Sequence, residues 1–132
     1  MIKKKILKPG RIRHIQGGFS FIPHRFLTDG FLAVLDQKEI LLYLFLIIAS
    51  DRNGLSFYSY DAICALLQFS VDDYIEARDA LIKKDLIAFD GTLFQVLDLP
   101  GKPAQEKGVK PSSQSSRRSE IRNLIQQSIG EI

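Results

Sequence analysis

An uninterrupted run of ten apolar residues, 40–49, directly follows a helix-start signal. Asp36 is of a residue type that caps helices, and Glu39 stands three positions later, which is the spacing of a capping box. The pattern predicts a helix from Asp36 to about Ser50. Ten residues are well short of the roughly 20 that cross a bilayer, so the run predicts a buried helix and no membrane partner.

A helix that is apolar all round needs cover on every side. Residues 40–49 therefore predict one of two arrangements. In the first, which we favour, the helix is central, and the N-terminal segment and a C-terminal hairpin pack around it. In the second, one side of the helix forms the seam of a homodimer.

Two further helices follow this run in the sequence. A brief strand is predicted at 55–58, and Ser59 then caps a second helix. Ser70, with Asp73 three residues later, predicts the start of a third helix that runs to about Lys84.

Extended segments are predicted on both sides of the helices. Two β-prone runs flank Asp90-Gly91, a dipeptide that favours tight hairpin turns, so they predict a β-hairpin. Before the first helix, residues 19–22 alternate and predict a short strand that Pro23 ends. A helical turn is expected at 24–27.

The composition divides the chain into four parts. Residues 1–18 are a basic N-terminal arm, and residues 19–100 are the folded domain. Residues 101–118 are rich in Ser, Gln, Lys, Gly and Pro, which predicts a flexible linker. Residues 119–132 predict an amphipathic C-terminal helix, which either docks on the domain or is partly disordered. Its apolar stripe consists of Ile121, Leu124, Ile125 and Ile129.

Charge is unevenly divided along the chain. Residues 1–27 contain seven basic residues and no acidic one, whereas residues 28–100 contain twelve acidic and five basic residues. Residues 101–132 are basic again, with six bases and three acids. An acidic body with basic ends has two interpretations: the ends are solvated tails, or they contact a polyanion.

Residues 19–99 resemble the winged-helix domains of GntR- and MarR-type regulators and, more closely, the N-terminal domains of plasmid and phage replication initiators. Four motifs carry the resemblance, in consistent order. They are FSFIP at 19–23, DQKEILLY at 36–43, GLSFYS at 54–59 and ARDALIKKDLI at 77–87. The resemblance implies an α+β, mainly α, winged helix-turn-helix with a short N-terminal strand and a C-terminal hairpin wing.

The resemblance also implies that the third helix lies in a DNA major groove and that the hairpin contacts the backbone. The similar proteins mostly carry Arg, Lys, Ser, Thr or Asn on the outward face of that helix. Here the face is largely acidic, and carboxylates close to phosphates are repelled. Its outward positions are Asp72, Asp73, Ile75, Glu76, Asp79 and Lys83.

Two functions therefore compete. The first is a DNA-binding protein, a transcription regulator or a replication- or mobile-element-associated protein, that contacts backbone phosphates through basic side chains. Its candidate contacts are Lys3, Lys4, Lys5, Lys8, Arg11, Arg13, Arg25, Lys83 and Lys84. The second is a winged-helix adaptor whose third helix binds a basic protein surface. Its candidate contacts are Asp72, Asp73, Glu76 and Asp79.

The sequence does not predict an enzyme, a cofactor or a metal site. Cys64, the single cysteine, lies among apolar residues of a helix and is expected in the core. His14 and His24 have no helical register between them and do not predict a metal pair. A chain without disulfides and without the pattern of a signal peptide is expected in the bacterial cytoplasm.

Overall fold

The computed structural model describes residues 2–104, which form four α-helices and three short β-strands. The helices are α1 (Arg25–Thr28), α2 (Gln37–Ala49), α3 (Tyr60–Leu67) and α4 (Val71–Lys83). The strands are β1 (Leu55–Ser56), β2 (Ile87–Phe89) and β3 (Phe94–Val96). Single 3-10 turns at Pro9–Arg11 and Leu32–Val34 precede α1 and α2, respectively.

The three longer helices begin at the predicted caps. The side chain of Asp36 accepts the N–H of Glu39 at 2.8 Å, and Ser59 accepts the N–H three residues later at 3.4 Å. Ser70 and Asp73 form a complete capping box, in which each side chain accepts the backbone N–H of the other residue. These bonds satisfy amide groups that have no partner inside a helix, so they determine where each helix starts.

Helices α3 and α4 form a helix-turn-helix. The chain turns at Gln68, which adopts the left-handed conformation with φ 59° and ψ 44°. The N–H of Phe69 donates to the carbonyl of Cys64 at 3.0 Å and closes the end of α3. Helix α4 then packs against both α2 and α3, so α2 supports the helix that the motif presents.

A three-stranded antiparallel sheet in the order β1-β3-β2 completes the domain. Strands β2 and β3 form the predicted hairpin, and β1 pairs with β3 through Leu55 opposite Gln95 and Ser56 opposite Phe94. The fully buried Phe94 ring stacks on Phe89 across the hairpin at 4.3 Å. This order of elements is that of a winged helix-turn-helix, as the sequence predicted.

One hydrophobic core lies between α2, α4 and the sheet. Helix α2 contributes Leu42 and Leu46, and α4 contributes Leu81. Its largest fully buried side chains are Phe31, Phe94, Leu42, Leu46, Ile63, Leu81, Leu86 and Ile87. Within the described residues, no helix is long and apolar enough to span a membrane.

The predicted strand at 19–22 is wrong. Its residues pair with neither outer strand of the described sheet, and Phe19 and Phe21 are 68% and 76% exposed. A pattern of period two forms a strand only where a sheet edge is available to it. The following helical turn is confirmed as α1.

The favoured expectation that α2 is covered on every side is also wrong. Leu41, Leu44 and Ile48 are 43%, 41% and 68% exposed, respectively. Helix α4, β1 and β3 contact α2, whereas the N-terminal segment borders a cleft beside Leu44 and Ile48 and leaves both exposed. These three residues are called the α2 stripe below. The predictions for 105–118 and for 119–132 lie outside the described residues.

Candidate nucleic-acid interface

Helix α4 presents the predicted outward face to solvent. Asp72, Ile75, Glu76 and Asp79 are exposed, whereas Tyr74, Ala77 and Leu81 point into the core. Ile82, in the last turn, is also exposed, although an apolar residue next to Leu81 is expected to face the core. Leu81 already fills the inner position at this turn, and Lys84, one turn later, takes the next inner position.

Asp73 is held by a cation from another helix. Its Oδ1 accepts a hydrogen bond from Nζ of Lys38, in the first turn of α2, while its Oδ2 accepts the N–H of Ser70 at 3.1 Å. The bond from Lys38, followed by those from Ser70, lowers the pKa of Asp73 below its ordinary value. The sequence did not indicate this partner, because Lys38 precedes Asp73 by 35 residues.

Asp79 is held by its neighbour Arg78. The guanidinium of Arg78 donates from Nε to Asp79 Oδ1 at 3.0 Å. It also lies 5.4 Å from the ring centroids of both Tyr74, on α4, and Phe89, on β2. Cations over aromatic faces are attracted to them, so Arg78 links α4 to the wing.

These pairs change the charge of the α4 face. The sequence predicted four carboxylates against Lys83 alone. In the structure, Lys38 and Arg78 also approach the face, and each forms an ion pair with one of the carboxylates. Among the described residues, Asp72 and Glu76 make no ion pair within 4.0 Å. The uncompensated negative charge is therefore limited to these two side chains.

Lys84 was predicted to contact phosphates, and the structure contradicts this. It is 5% exposed, and its Nζ donates to the carboxylate of Glu39 and, at 2.8 Å, to the carbonyl of Val34. Burial raises the pKa of Glu39, as does the nearby Asp36, and Lys84 only partly offsets this. A buried ammonium in these contacts cannot reach DNA, so Lys84 is a structural residue.

Arg25, another predicted phosphate contact, has a structural role and remains partly exposed. Its guanidinium donates to the carbonyls of Leu99 at 3.2 Å and Pro100 at 2.7 Å, and to Asp29 at 3.1 Å. It also lies over the ring of Phe31. Arg25 thereby ties α1 to the segment that follows the wing, and three of its five N–H donors are engaged.

The remaining predicted cations are exposed. Lys83 lies at the end of α4, and the six bases of the arm all face solvent. These are Lys3, Lys4, Lys5, Lys8, Arg11 and Arg13. Arg13 and Arg52, from the turn before β1, line one cleft beside the C-terminal half of α2. Sequence reasoning missed Arg52, because only the fold brings this turn beside the arm.

The wing tip has no basic residue. Asp90 Oδ1 accepts the N–H groups of Thr92 at 2.8 Å and Leu93 at 2.6 Å, which closes the turn. These bonds lower the pKa of Asp90. Leu93 is exposed at the tip, so the wing offers a polar backbone and one apolar side chain.

Cys64 lies at the edge of the core and not fully inside it. It is half-buried, and its Sγ is 3.7 Å from the carbonyl of Ser70. Desolvation and the nearby Asp61 and Asp73 raise the pKa of the thiol, which is opposite to what activates a nucleophile. Within residues 2–104, no three His, Cys, Asp or Glu side chains are grouped to hold a metal.

Comparison with known proteins agrees with this geometry. Residues 34–87 match the family model described as a helix-turn-helix domain. The match runs from the turn before α2 through α4 to the first residue of β2. No curated protein and no solved structure gave a significant match. Residues 34–87 are therefore similar to a helix-turn-helix domain, and α3 and α4, supported by α2, have the corresponding geometry.

Proposed function

We propose that this protein binds duplex DNA through its helix-turn-helix domain and does no catalysis. The observation that carries the proposal is the agreement between the matched family model and the α3–turn–α4 geometry. In this motif the second helix enters the major groove while the first crosses the backbone. The resemblance to regulators and replication initiators favours a role in transcription or in replication of a mobile element inside the bacterial cytoplasm.

The ion pairs of α4 support an approach to DNA. A helix with four free carboxylates would be repelled by the phosphates that line a groove. Lys38 and Arg78 compensate two of them, and Lys83 adds a free cation at the end of the helix. The remaining barrier comes from Asp72 and Glu76.

The N-terminal arm is proposed to supply most of the affinity. Its six exposed bases have no acidic residue among them, and extended basic arms contact phosphates or enter minor grooves. Each phosphate that a cation neutralises adds about 0.9 to the slope of log K against log salt. Affinity borne by the arm is therefore steeply dependent on salt.

A salt titration of binding to random-sequence duplex DNA tests the arm. In the full chain, Lys3→Ala/Lys4→Ala/Lys5→Ala should flatten the slope by up to about 2.7. The matched control is Lys102→Ala/Arg117→Ala/Arg118→Ala, which removes the same charge and should leave the slope nearly unchanged. Equal slopes for the two triple variants would show that the arm is not the binding element.

A second variant tests whether α4 faces the DNA. Asp72→Asn/Glu76→Gln removes the two uncompensated charges and should raise duplex affinity about tenfold, which is a typical gain for removing close like charges. Asp85→Asn/Asp98→Asn is a control with the same charge change at exposed positions outside α3 and α4. An equal gain in both variants would reflect net charge alone and would argue against α4 as the contact.

One observation favours a second candidate function, the protein-binding adaptor. Ile75 and Ile82 are each 39% exposed on α4, beside the unpaired Asp72 and Glu76. A surface that mixes acids and aliphatic groups fits a basic protein partner better than it fits a phosphate backbone. Absence of duplex binding at low salt, together with loss of a basic partner on Asp72→Asn/Glu76→Gln, would favour this function.

A further inference from the structure

The α2 stripe is an apolar surface that the described residues leave about half-exposed, although Phe19 and Ile22 line the cleft beside Leu44 and Ile48. Leu41, Leu44 and Ile48 lie at i, i+3 and i+7, which places them on one side of the helix. No charged residue interrupts this part of α2. Beside the stripe, the half-buried Phe45 meets Tyr58 edge to face at 5.1 Å, so the surface continues onto the segment after β1.

We propose that residues 119–132 of the same chain dock on the α2 stripe as an amphipathic helix. The proposal goes beyond DNA binding and does not depend on it. The stripe extends about 10 Å along α2, at 1.5 Å for each residue. The apolar positions Ile121 to Ile129 would extend about 12 Å in a helix, so the two surfaces match in length.

The path of the chain brings this segment to the stripe. Leu99 lies in one cleft with Ile47 of α2, and the hydrogen bonds from Arg25 hold Leu99 and Pro100 there. Ile47 also lines the neighbouring cleft that contains Leu44 and Ile48, so the chain leaves the domain near the stripe. Residues 105–118 would span roughly 20 Å as a flexible coil, which is enough to reach it.

Size favours this occupant over a second copy of the chain. A stable interface between proteins buries about 800 Å² on each partner. The three aliphatic side chains of the α2 stripe are about half-exposed and offer a few hundred Å². A tethered segment has an effective concentration near the millimolar range, so a small contact suffices to hold it.

Paramagnetic broadening in the full chain, without DNA, tests the proposal. A spin label is attached at Gln126→Cys in a Cys64→Ser background, because Gln126 lies off the apolar stripe of the segment. We expect loss of the methyl signals of Leu44 and Ile48 in dilute solution. The methyl signal of Ile75, on the outer face of α4, should persist.

Matched variants in the segment complete the test. Leu124→Asp/Ile125→Asp should restore the signals of the α2 stripe, whereas Asn123→Asp/Gln127→Asp should leave them broadened. Equal broadening at Ile75 and Ile48, or no broadening at either, would overturn the proposal. So would broadening that appears only when a labelled chain is mixed with an isotope-labelled one, since that would identify a second copy as the occupant.

Discussion

Lys84, one residue beyond α4, is buried against Glu39 in the first turn of α2. The two helices that support the candidate interface are thus joined by an ion pair within the protein. Removing one member of a buried pair leaves an uncompensated charge, whereas removing both avoids that cost.

We therefore expect Glu39→Met to cost about 3–5 kcal/mol of unfolding free energy, because it strands the Lys84 ammonium. The double variant Glu39→Met/Lys84→Met should be more stable than Glu39→Met alone, with a coupling energy of roughly 2–3 kcal/mol. Urea unfolding of Glu39→Met, Lys84→Met and the double variant measures this coupling energy. Additive effects would show that the pair does not act as a unit.

Gly54 permits the contact between β1 and β3. It has φ +84°, and a Cβ at this position would lie 2.5 Å from the carbonyl oxygen of Val96. Gly54→Ala should cost about 3 kcal/mol or more, because it adds backbone strain to a clash. Gly91 has φ +100°, and nothing lies within 4 Å of a Cβ added there. Gly91→Ala therefore adds backbone strain without a clash and should cost about 1–2 kcal/mol. Thermal melts that rank the two variants equally would contradict this account.

The turn of the helix-turn-helix carries a residue that is not suited to its backbone. Gln68 adopts the left-handed conformation that glycine adopts without a steric penalty. Gln68→Gly should therefore stabilise the domain by about 0.5–1 kcal/mol. Gln37→Gly, at the exposed first position of α2, should instead destabilise it. A lower melting temperature for Gln68→Gly would contradict this prediction. It would mean that the Gln68 side chain stabilises the domain by more than the strained backbone destabilises it.

Acid should destabilise the domain below about pH 4. The pKa of Asp73 is lowered mainly by Lys38, and that of Asp90 by the N–H groups of Leu93 and Thr92. A carboxyl whose folded pKa lies below its ordinary 3.8 stabilises the fold above that pH, and this contribution is lost as the pH falls toward the folded pKa. Melting temperatures from pH 7 to 3 should fall less steeply for Asp73→Asn and Asp90→Asn than for wild type. Asp98→Asn serves as the control.

The sequence predicts the elements well because their signals are local. Capping side chains, helical periodicity and the Asp90-Gly91 turn each act within a few residues, and the structure confirms the helices and the hairpin. The errors concern contacts between distant parts of the chain. In the sequence, Lys84 looks like an ordinary surface cation at the end of α4. Only the packing of α4 on α2 shows that Lys84 is paired with Glu39.

The same limit explains the charge of the α4 face. Asp73 and Asp79 look alike in the sequence, yet one is held by Lys38 from α2 and the other by its own neighbour. A residue 35 positions away has no local signal. The sequence also failed to predict the exposed side of α2. An apolar run indicates that a helix needs to be buried, but it does not identify the residues that bury it.

The place of Arg78 between Tyr74 and Phe89 has a mechanical consequence. A flat guanidinium that contacts a ring of the helix and a ring of the hairpin restrains the angle at which the two project, in addition to the core that joins them. A ligand that binds this face therefore meets a helix and a hairpin whose relative orientation is already restrained. The protein loses little conformational entropy when the ligand binds. Replacement of this one side chain would loosen the hairpin relative to the helix and would also leave Asp79 without its cation.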